Sequence, residues 1–293
     1  MDKTTPSQKF VPDGHFYSPI PAPEDCTANY SSLVLADIED QLVNADTQLA
    51  LAERFRALYS ELPFPRTADG QYRYFLDNGS FNYFDGIILY CFIRCFEPGA
   101  IIEVGSGFSS ALMLDTVERF LPGKTQLTFI DPYPSTLNRC LRDADRQTAN
   151  ILEMKVQDVP LDRFRSLGRN DILFIDSSHV AKFGSDVNHL FFKVLPILRP
   201  GVIIHFHDIF RNFDYPQEWL KEGRAWNEGY LVRAFLSSNP DYRILFFNDW
   251  FAARHWDYLK KHLPLCTVQP EGSPFKNCGV SLWLEKTGAG EPV

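Results

Sequence analysis

The chain has 293 residues, 45% of them hydrophobic, and a formal net charge of −8. That is enough apolar material for one large α/β domain with extensions, or for two small domains. The acidic balance lacks the basic face of a nucleic-acid binder, and the most apolar run, Gly86 to Phe96, carries Arg94 and is too short to cross a bilayer.

Residues 1–33 are rich in Pro, Ser, Thr and other polar residues and read as an extended arm. The opening MDKTTPSQKF lacks the apolar core of a secretory signal. Leu35, Ile38, Leu42, Leu49 and Leu58 share one helical face, which predicts a helix over 35–60, ended by Leu62-Pro63-Phe64-Pro65. Asp77-Asn78-Gly79-Ser80 is a turn whose Ser80 can cap a helix from Phe81 to Phe96. Pro98-Gly99 stops that helix. From there strand and helix patterns alternate. Strands are expected at Ile101–Val104, Gln126–Ile130, Ile151–Val156, Ile172–Ile175 and Val202–Phe206. Helices follow the first to about Leu121, run from about Ser135 to Ala149, and run from about Ser185 to Leu198. Such alternation implies a parallel sheet with right-handed crossovers. Trp226–Leu236 reads as a helix. Tyr242–Phe247 and Gly279–Glu285 read as strands with no clean helical pattern between them, which suits a last strand inserted antiparallel beside its predecessor.

Two domains are expected on this reading: an N-terminal arm and helical cap over 1–97, and a sheet domain over 98–293. The arm and the helix at 35–60 would either cover the site or build a homodimer. Six cysteines (Cys26, Cys91, Cys95, Cys140, Cys266 and Cys278) are scattered without a C-x-x-C pair. They read as reduced core residues of a cytoplasmic protein, not as a disulfide frame or zinc site.

The most informative stretch is Ile101-Ile102-Glu103-Val104-Gly105-Ser106-Gly107-Phe108-Ser109-Ser110. It reads as a buried strand, a tight glycine turn and a helix N-terminus. Glycines let backbone approach a ligand closely, and the first free N–H groups of the helix face it. Ser110 stands where a dinucleotide fingerprint would need its third glycine. Glu103 suits a cofactor bearing positive charge and hydrogen-bond donors better than a pyrophosphate. The stretch resembles the E-x-G-x-G motif of class I S-adenosylmethionine-dependent methyltransferases, and the antiparallel sheet ending agrees. The resemblance covers roughly residues 80–285. It implies a Rossmann-like α/β fold with a mostly parallel seven-stranded sheet whose last strand is antiparallel, plus the N-terminal helical extension. It also implies S-adenosylmethionine as cofactor, held by Glu103, Gly105, Ser106, Gly107 and Ser109.

Asp131 closes the second strand, where a carboxylate can accept hydrogen bonds from the cis hydroxyls of a ribose. By resemblance, Asp158 near the end of the third strand would meet the adenine amine. Asp176, at the tip of the fourth, would face the methionine part of the cofactor and the acceptor. Asp131 and Asp176 could instead simply cap the helices that follow them, and Asp158 could be an ordinary loop aspartate.

Methyl transfer from a sulfonium needs orientation and a deprotonated acceptor. His179, three residues past Asp176, is the candidate base. Asp208 joins it as a candidate catalytic residue. The segment IDSSH followed by VIIHFHDIF resembles a bacterial small-molecule O-methyltransferase-like subfamily with a D-x-x-H … H-D pattern. Some O-methyltransferases hold Mg²⁺ at the positions that here are Asp176, His207 and Asp208. His207 departs from an oxygen ligand and shifts the set toward Mn²⁺, Fe²⁺ or Zn²⁺. His205 reads as a core residue and His189 as a surface or packing residue. Trp226, Asn227, Glu228 and Tyr230 either shape an acceptor pocket or, for Trp226 and Tyr230, form a core stripe.

The expected function is methyl transfer to a small-molecule acceptor, at a hydroxyl oxygen, with no nucleic-acid or membrane partner. Two alternatives remain at this point. An NAD-dependent oxidoreductase explains Gly105, Gly107 and Asp131 but not Glu103, Ser110 or the sheet ending. A non-methylating relative on the same fold explains all of them.

Overall fold

A computed structural model describes residues 9–269 and 279–288. Seven strands form one sheet in the order β3-β2-β1-β4-β5-β7-β6. They are β1 Ala100–Val104, β2 Gln126–Ile130, β3 Ala149–Leu152, β4 Ile172–Ile175, β5 Ile203–Phe206, β6 Tyr242–Phe247 and β7 Leu282–Lys286. The first five pair in parallel, and β7 enters antiparallel between β5 and β6. β1, β4 and β5 are almost continuous Ile, Val, Leu and Phe, because helices cover both faces of a parallel sheet. Their carboxyl ends all point to one edge, and the order reverses between β1 and β4, where a crevice opens.

The helix Tyr83–Phe96 is buried over most of its length and packs on the helix Phe108–Phe120. Its first turn carries the buried Asp85, whose carboxylate accepts from the backbone N–H groups of Val280 and Ser281 and from the Asn248 amide. Further along, Phe92 stacks on Trp283 of β7 at 3.9 Å. Arg73 makes a second tie. Its guanidinium, 4% exposed, bonds Asp115 of the helix Phe108–Phe120 at 2.6 Å and Asp145 at 2.9 and 2.5 Å.

Several expected bounds shift. The helix expected over 35–60 is a 3₁₀ turn at Asp40–Leu42 and a helix at Ala45–Tyr59. The helix after the turn starts at Tyr83 with Asn82 as its N-terminal flank, and Ser80 does not cap it. The segment 135–149 is two short helices, Ser135–Cys140 and Asp145–Thr148. β3 begins and ends earlier than expected, because Ile151 and Leu152 lie half-buried on the edge of the sheet and the chain turns out to solvent at Glu153. A 15-residue helix, Asn248–His262, does separate β6 from β7. It kinks at His255, so its apolar residues do not keep one regular spacing.

The arm does not stand apart. Tyr30 donates its hydroxyl to the Tyr215 carbonyl, Gln217 reaches the Thr27 carbonyl, and Ile38 N–H bonds the Arg211 carbonyl. Cys26, Cys91, Cys95 and Cys140 carry free thiols, and Cys278 lies outside the described residues. No helix among the described residues is long and apolar enough to cross a membrane.

Candidate active site

The glycine turn is built against the neighbouring strand tip. Gly105 has φ +83°, and a Cβ there would lie 1.7 Å from the Asp176 carbonyl oxygen. The requirement for glycine is thus backbone against backbone, before any ligand is considered. Ser106 donates both its N–H (3.0 Å) and its hydroxyl (2.8 Å) to Oδ2 of Asp131, while Oδ1 accepts from the Tyr133 N–H at 2.7 Å. One lone pair on Oδ1 therefore stays open for a ribose hydroxyl, with the Ser106 hydroxyl beside it as a second partner.

Glu103 has a different place from the one expected. It is fully buried, and its carboxyl oxygens accept from the hydroxyls of Ser109 and Ser110. Burial pushes its carboxyl up to about 8; the two serine hydroxyls oppose that rise, and the nearby carboxylates of Asp176 and Asp131 add to it. It braces the start of the helix Phe108–Phe120 and presents no exposed atom to a ligand. Asp158 also departs from expectation. It sits at the end of the 3₁₀ turn Val156–Asp158, exposed, and not at a strand tip.

The tips of β4 and β5 converge. Nε2 of His179 lies 3.4 Å from Oδ1 of Asp176 and 3.4 Å from Oδ2 of Asp208. Nδ1 of the same ring lies 2.9 Å from Oε2 of Glu228, which is fully buried. Exposure falls in a gradient: the Asp176 side chain is 30% exposed, Asp208 15% and His179 5%. The two carboxylates therefore face the cleft, and the imidazole joins them from behind.

The loop after β4 is held rigidly. Ser178 bonds Asp186 through both its N–H (2.9 Å) and its hydroxyl (2.6 Å). The His179 carbonyl accepts the N–H groups of Asn227 (3.0 Å) and Glu228 (3.2 Å) at the start of the helix Glu228–Ser238. The Asn227 amide pairs with the Ala181 backbone in both directions. His179 and Asp208 both occupy the left-handed region, at φ +58° and +56°. Such a conformation costs energy for a non-glycine residue and persists only where the surroundings enforce it.

The imidazole is electrostatically committed. Burial opposes its charge, but the carboxylates of Asp176, Glu228 and Asp208 outweigh burial and hold its pKa well above the ordinary histidine value. Asp176 likewise resists burial, and the imidazoles of His207, His179 and His205 bring its carboxyl down to about 2.

The histidine carried over from the resemblance is displaced. His205 on β5 and His207 just past its end are two residues apart and lie on one side of the sheet. That face is the packed one. His205 stacks on Phe174 at 3.7 Å, and His207 lies on Phe81 at 5.2 Å. Nε2 of His207 stays 3.8 Å from Asp208, and its buried Nδ1 has no hydrogen-bond partner. Among the described residues, the set that can share a cation is Asp176, His179 and Asp208, whose ligand atoms lie within 4.8 Å of one another. Charge-assisted hydrogen bonds close to about 2.7–2.9 Å, so the 3.4 Å separations are loose for ion pairs. Neighbouring ligand atoms around a cation with bonds of about 2.1 Å stand roughly 3 Å apart. One imidazole and two carboxylates suit a divalent first-row cation, and a carboxylate on the far ring nitrogen is the usual support of a metal-bound histidine. The donor set fits a metal.

Glu228 and Asn227 are what residue-by-residue reading missed. The run Trp226-Asn227-Glu228-Gly229-Tyr230 stood out in the sequence, but as pocket lining and not as the clamp of the His179 loop. His189 is half-buried and takes no part in the cluster.

Comparison with known proteins agrees with this architecture. The family model described as a methyltransferase domain matches residues 102–209, from β1 to just past the tip of β5. An uncharacterised protein of Archaeoglobus fulgidus is 30% identical over 171 residues, covering 56% of this chain and 76% of the relative. Residues 102–209 of the chain are thus a methyltransferase domain by family match. Solved structures that resemble it include the O-methyltransferase TomG from Streptomyces achromogenes, involved in tomaymycin synthesis, in complex with S-adenosylmethionine. It is 15% identical, with 89% of this chain and 95% of that chain covered and a TM-score of 0.42. The O-methyltransferase from Bacillus cereus in complex with S-adenosylhomocysteine is 14% identical, with 88% and 96% covered and a TM-score of 0.42.

Proposed function

We propose that the protein transfers the methyl group of S-adenosylmethionine to a hydroxyl oxygen of a small-molecule acceptor. The observation that carries this reading is the single ring of His179, with Nε2 set 3.4 Å from both Asp176 and Asp208 and Nδ1 on Glu228. A neutral amine needs no deprotonation to attack a methyl group. A hydroxyl does, and the carboxylates that His179 holds at the cleft give its proton a way out to solvent.

In this reading Gly105, Ser106 and Gly107 form the turn beneath the cofactor, and Asp131 with Ser106 meets its ribose. Asp176 lies at the methionine end. The acceptor hydroxyl enters on the exposed side of Asp176 and Asp208. Its proton passes by way of the partly exposed Asp208 carboxylate to solvent in the cleft, the O–CH₃ bond forms as the S–CH₃ bond breaks, and S-adenosylhomocysteine departs. Orientation by the rigid strand tips contributes most of what in-line displacement requires. His179 on its own is poorly suited as base, because its neighbours keep it protonated. Asp176, His179 and Asp208 would hold a divalent cation, with the His179 ring neutral at Nε2, and the cation would supply a lower pKa for an acceptor hydroxyl.

The test is calorimetry of the full chain with S-adenosylhomocysteine and, separately, with Mn²⁺, followed by release of S-adenosylhomocysteine from S-adenosylmethionine in the presence of hydroxylated acceptors. Cofactor binding with metal-stimulated turnover is the expected result. A folded protein that binds no S-adenosylhomocysteine would overturn the reading.

A further inference from the structure

A cavity of about 310 Å³ lies between the arm and the segment that follows β5. Pro19, Tyr30 and Val34 line it from the arm, and Arg224, Trp226 and Tyr230 from the other side. Its volume is at the lower end of those that hold small ligands, roughly 300–1,000 Å³. It adjoins the active site through Trp226, whose ring lies 4.4 Å from the ring of His179. The cavity therefore sits one side chain away from the reacting centre. An acceptor that fills it must be long enough to pass Trp226.

The lining limits what can bind. The aromatic side chains of Tyr30, Trp226 and Tyr230 in the lining suit a ring with an apolar face. Charges of both signs stand among them. The Arg224 guanidinium lies 4.8 Å over Trp226 and bonds Glu222 through Nε, while Nη1 and Nη2 bond no described residue. Asp25 accepts from Asn29 at Oδ1, and its Oδ2 bonds no described residue. Asp214 holds the Leu35 N–H and the Tyr230 hydroxyl. An anionic ligand meets Asp25 and Asp214, and a cationic one meets Arg224. A neutral ring whose groups both donate and accept can use Arg224 and Asp25 together. Vicinal hydroxyls on a ring with an apolar face have that chemistry.

We propose that this cavity is a saccharide subsite, holding the sugar ring next to the one that is methylated, with the N-terminal arm as one wall. The inference rests on the hydroxyl-acceptor reading above and assigns its substrate class. It also gives the arm a role in choosing the acceptor.

The experiment is saturation-transfer NMR on the full chain with S-adenosylhomocysteine present. The probes are methyl glycosides of the common hexoses and deoxyhexoses, simple disaccharides, and catechol as a flat hydroxylated ring without a sugar. Transfer to the ring C–H protons of at least one saccharide is expected. It should fall at least fivefold in Arg224→Ala and in Asp25→Asn, with calorimetric affinity for S-adenosylhomocysteine unchanged in both. No transfer to any saccharide, transfer that neither substitution reduces, or transfer to catechol alone would each overturn the proposal. If S-adenosylhomocysteine itself fails to bind, the underlying methyltransfer reading fails instead, and the two failures are told apart by the calorimetry.

Discussion

Oε2 of Glu228 lies 2.9 Å from Nδ1 of His179, across 49 residues of sequence and with both groups buried. The bond holds Nδ1 of the ring on Glu228 and aims Nε2, whose proton a cation has to displace, between Asp176 and Asp208. The backbone around it does the same work twice, since the N–H of Glu228 also donates to the His179 carbonyl at 3.2 Å. Glu228→Gln keeps the backbone contact and removes the charge. Affinity for Mn²⁺, read by calorimetry, is expected to fall about 10–100-fold, with affinity for S-adenosylhomocysteine unchanged. Unaltered Mn²⁺ affinity in the folded variant would place the cation elsewhere, and equal losses for both ligands would point to a collapsed loop.

The raised pKa of His179 makes cation binding depend on pH. Below that pKa the ring is protonated, and a cation must displace the proton. Mn²⁺ affinity should therefore rise as pH increases through neutrality, with close to one proton released per ion. Calorimetry in buffers of different ionisation enthalpy counts that proton. In the metal-free protein the sign for folding is the reverse. A histidine whose pKa is higher in the folded state contributes stability that is full below its unfolded value of about 6.5 and is lost as pH rises through the folded value. Cation affinity that is flat with pH would remove His179 from the set, and His207→Gln is expected to leave the proton count as it is.

β2, β4 and β6 were legible to the residue, because each is an apolar run bounded by turn residues or by a tip acid or amide. β3 was not, since Ile151 and Leu152 at the sheet edge look the same as core positions until the edge is known. Asp176 and Asp208 could be read as strand-tip residues, and the structure brings those tips together. The exchange of His207 for His179 was hidden, for it turns on a left-handed residue at position 179 and on the packed side of β5. Glu228 was beyond sequence reasoning because its partner is reached only through the tertiary fold.

Gly105→Ala tests the glycine turn without adding bulk beyond one methyl. The new Cβ would collide with the Asp176 carbonyl, and the φ of +83° is unfavourable for alanine in any case. A loss of more than about 1 kcal/mol in denaturant unfolding is expected. Asp176 moves with its carbonyl, so Mn²⁺ affinity should fall together with that for S-adenosylhomocysteine. A variant as stable as the parent, with both affinities intact, would show that the turn tolerates a side chain.

Arg73 is the best candidate for a structural charge remote from the cleft. It joins Asp115 and Asp145 with its side chain only 4% exposed. Removing one member of a buried ion-pair network leaves uncompensated charge and typically costs about 3–5 kcal/mol. Arg73→Met should approach that loss in urea unfolding. Adding Asp115→Asn and Asp145→Asn to it should restore part of the stability, because the orphaned charges are gone. A single variant within about 0.5 kcal/mol of the parent would mean that water reaches the two aspartates.

Glu103 offers a test in which stability and ligand binding separate. Its carboxyl titrates near 8 in the folded protein, raised by burial, against 4.5 for the ordinary side chain. Between those values the folded state binds more protons than the unfolded chain, so stability falls as pH rises, by at most about 1.4 kcal/mol per pH unit. Glu103→Gln mimics the neutral form and can still bond Ser109 and Ser110. The variant should match the parent near pH 5 and become progressively more stable than it toward pH 8, with the gap read from urea midpoints. Parallel curves over that range would show that Glu103 is charged when folded. Because the group is neutral near pH 7 and turned toward the two serines, S-adenosylhomocysteine affinity should change less than about threefold. A tenfold loss at unchanged stability would instead put the Glu103 carboxylate in contact with the cofactor, through a rearrangement that frees it from Ser109 and Ser110.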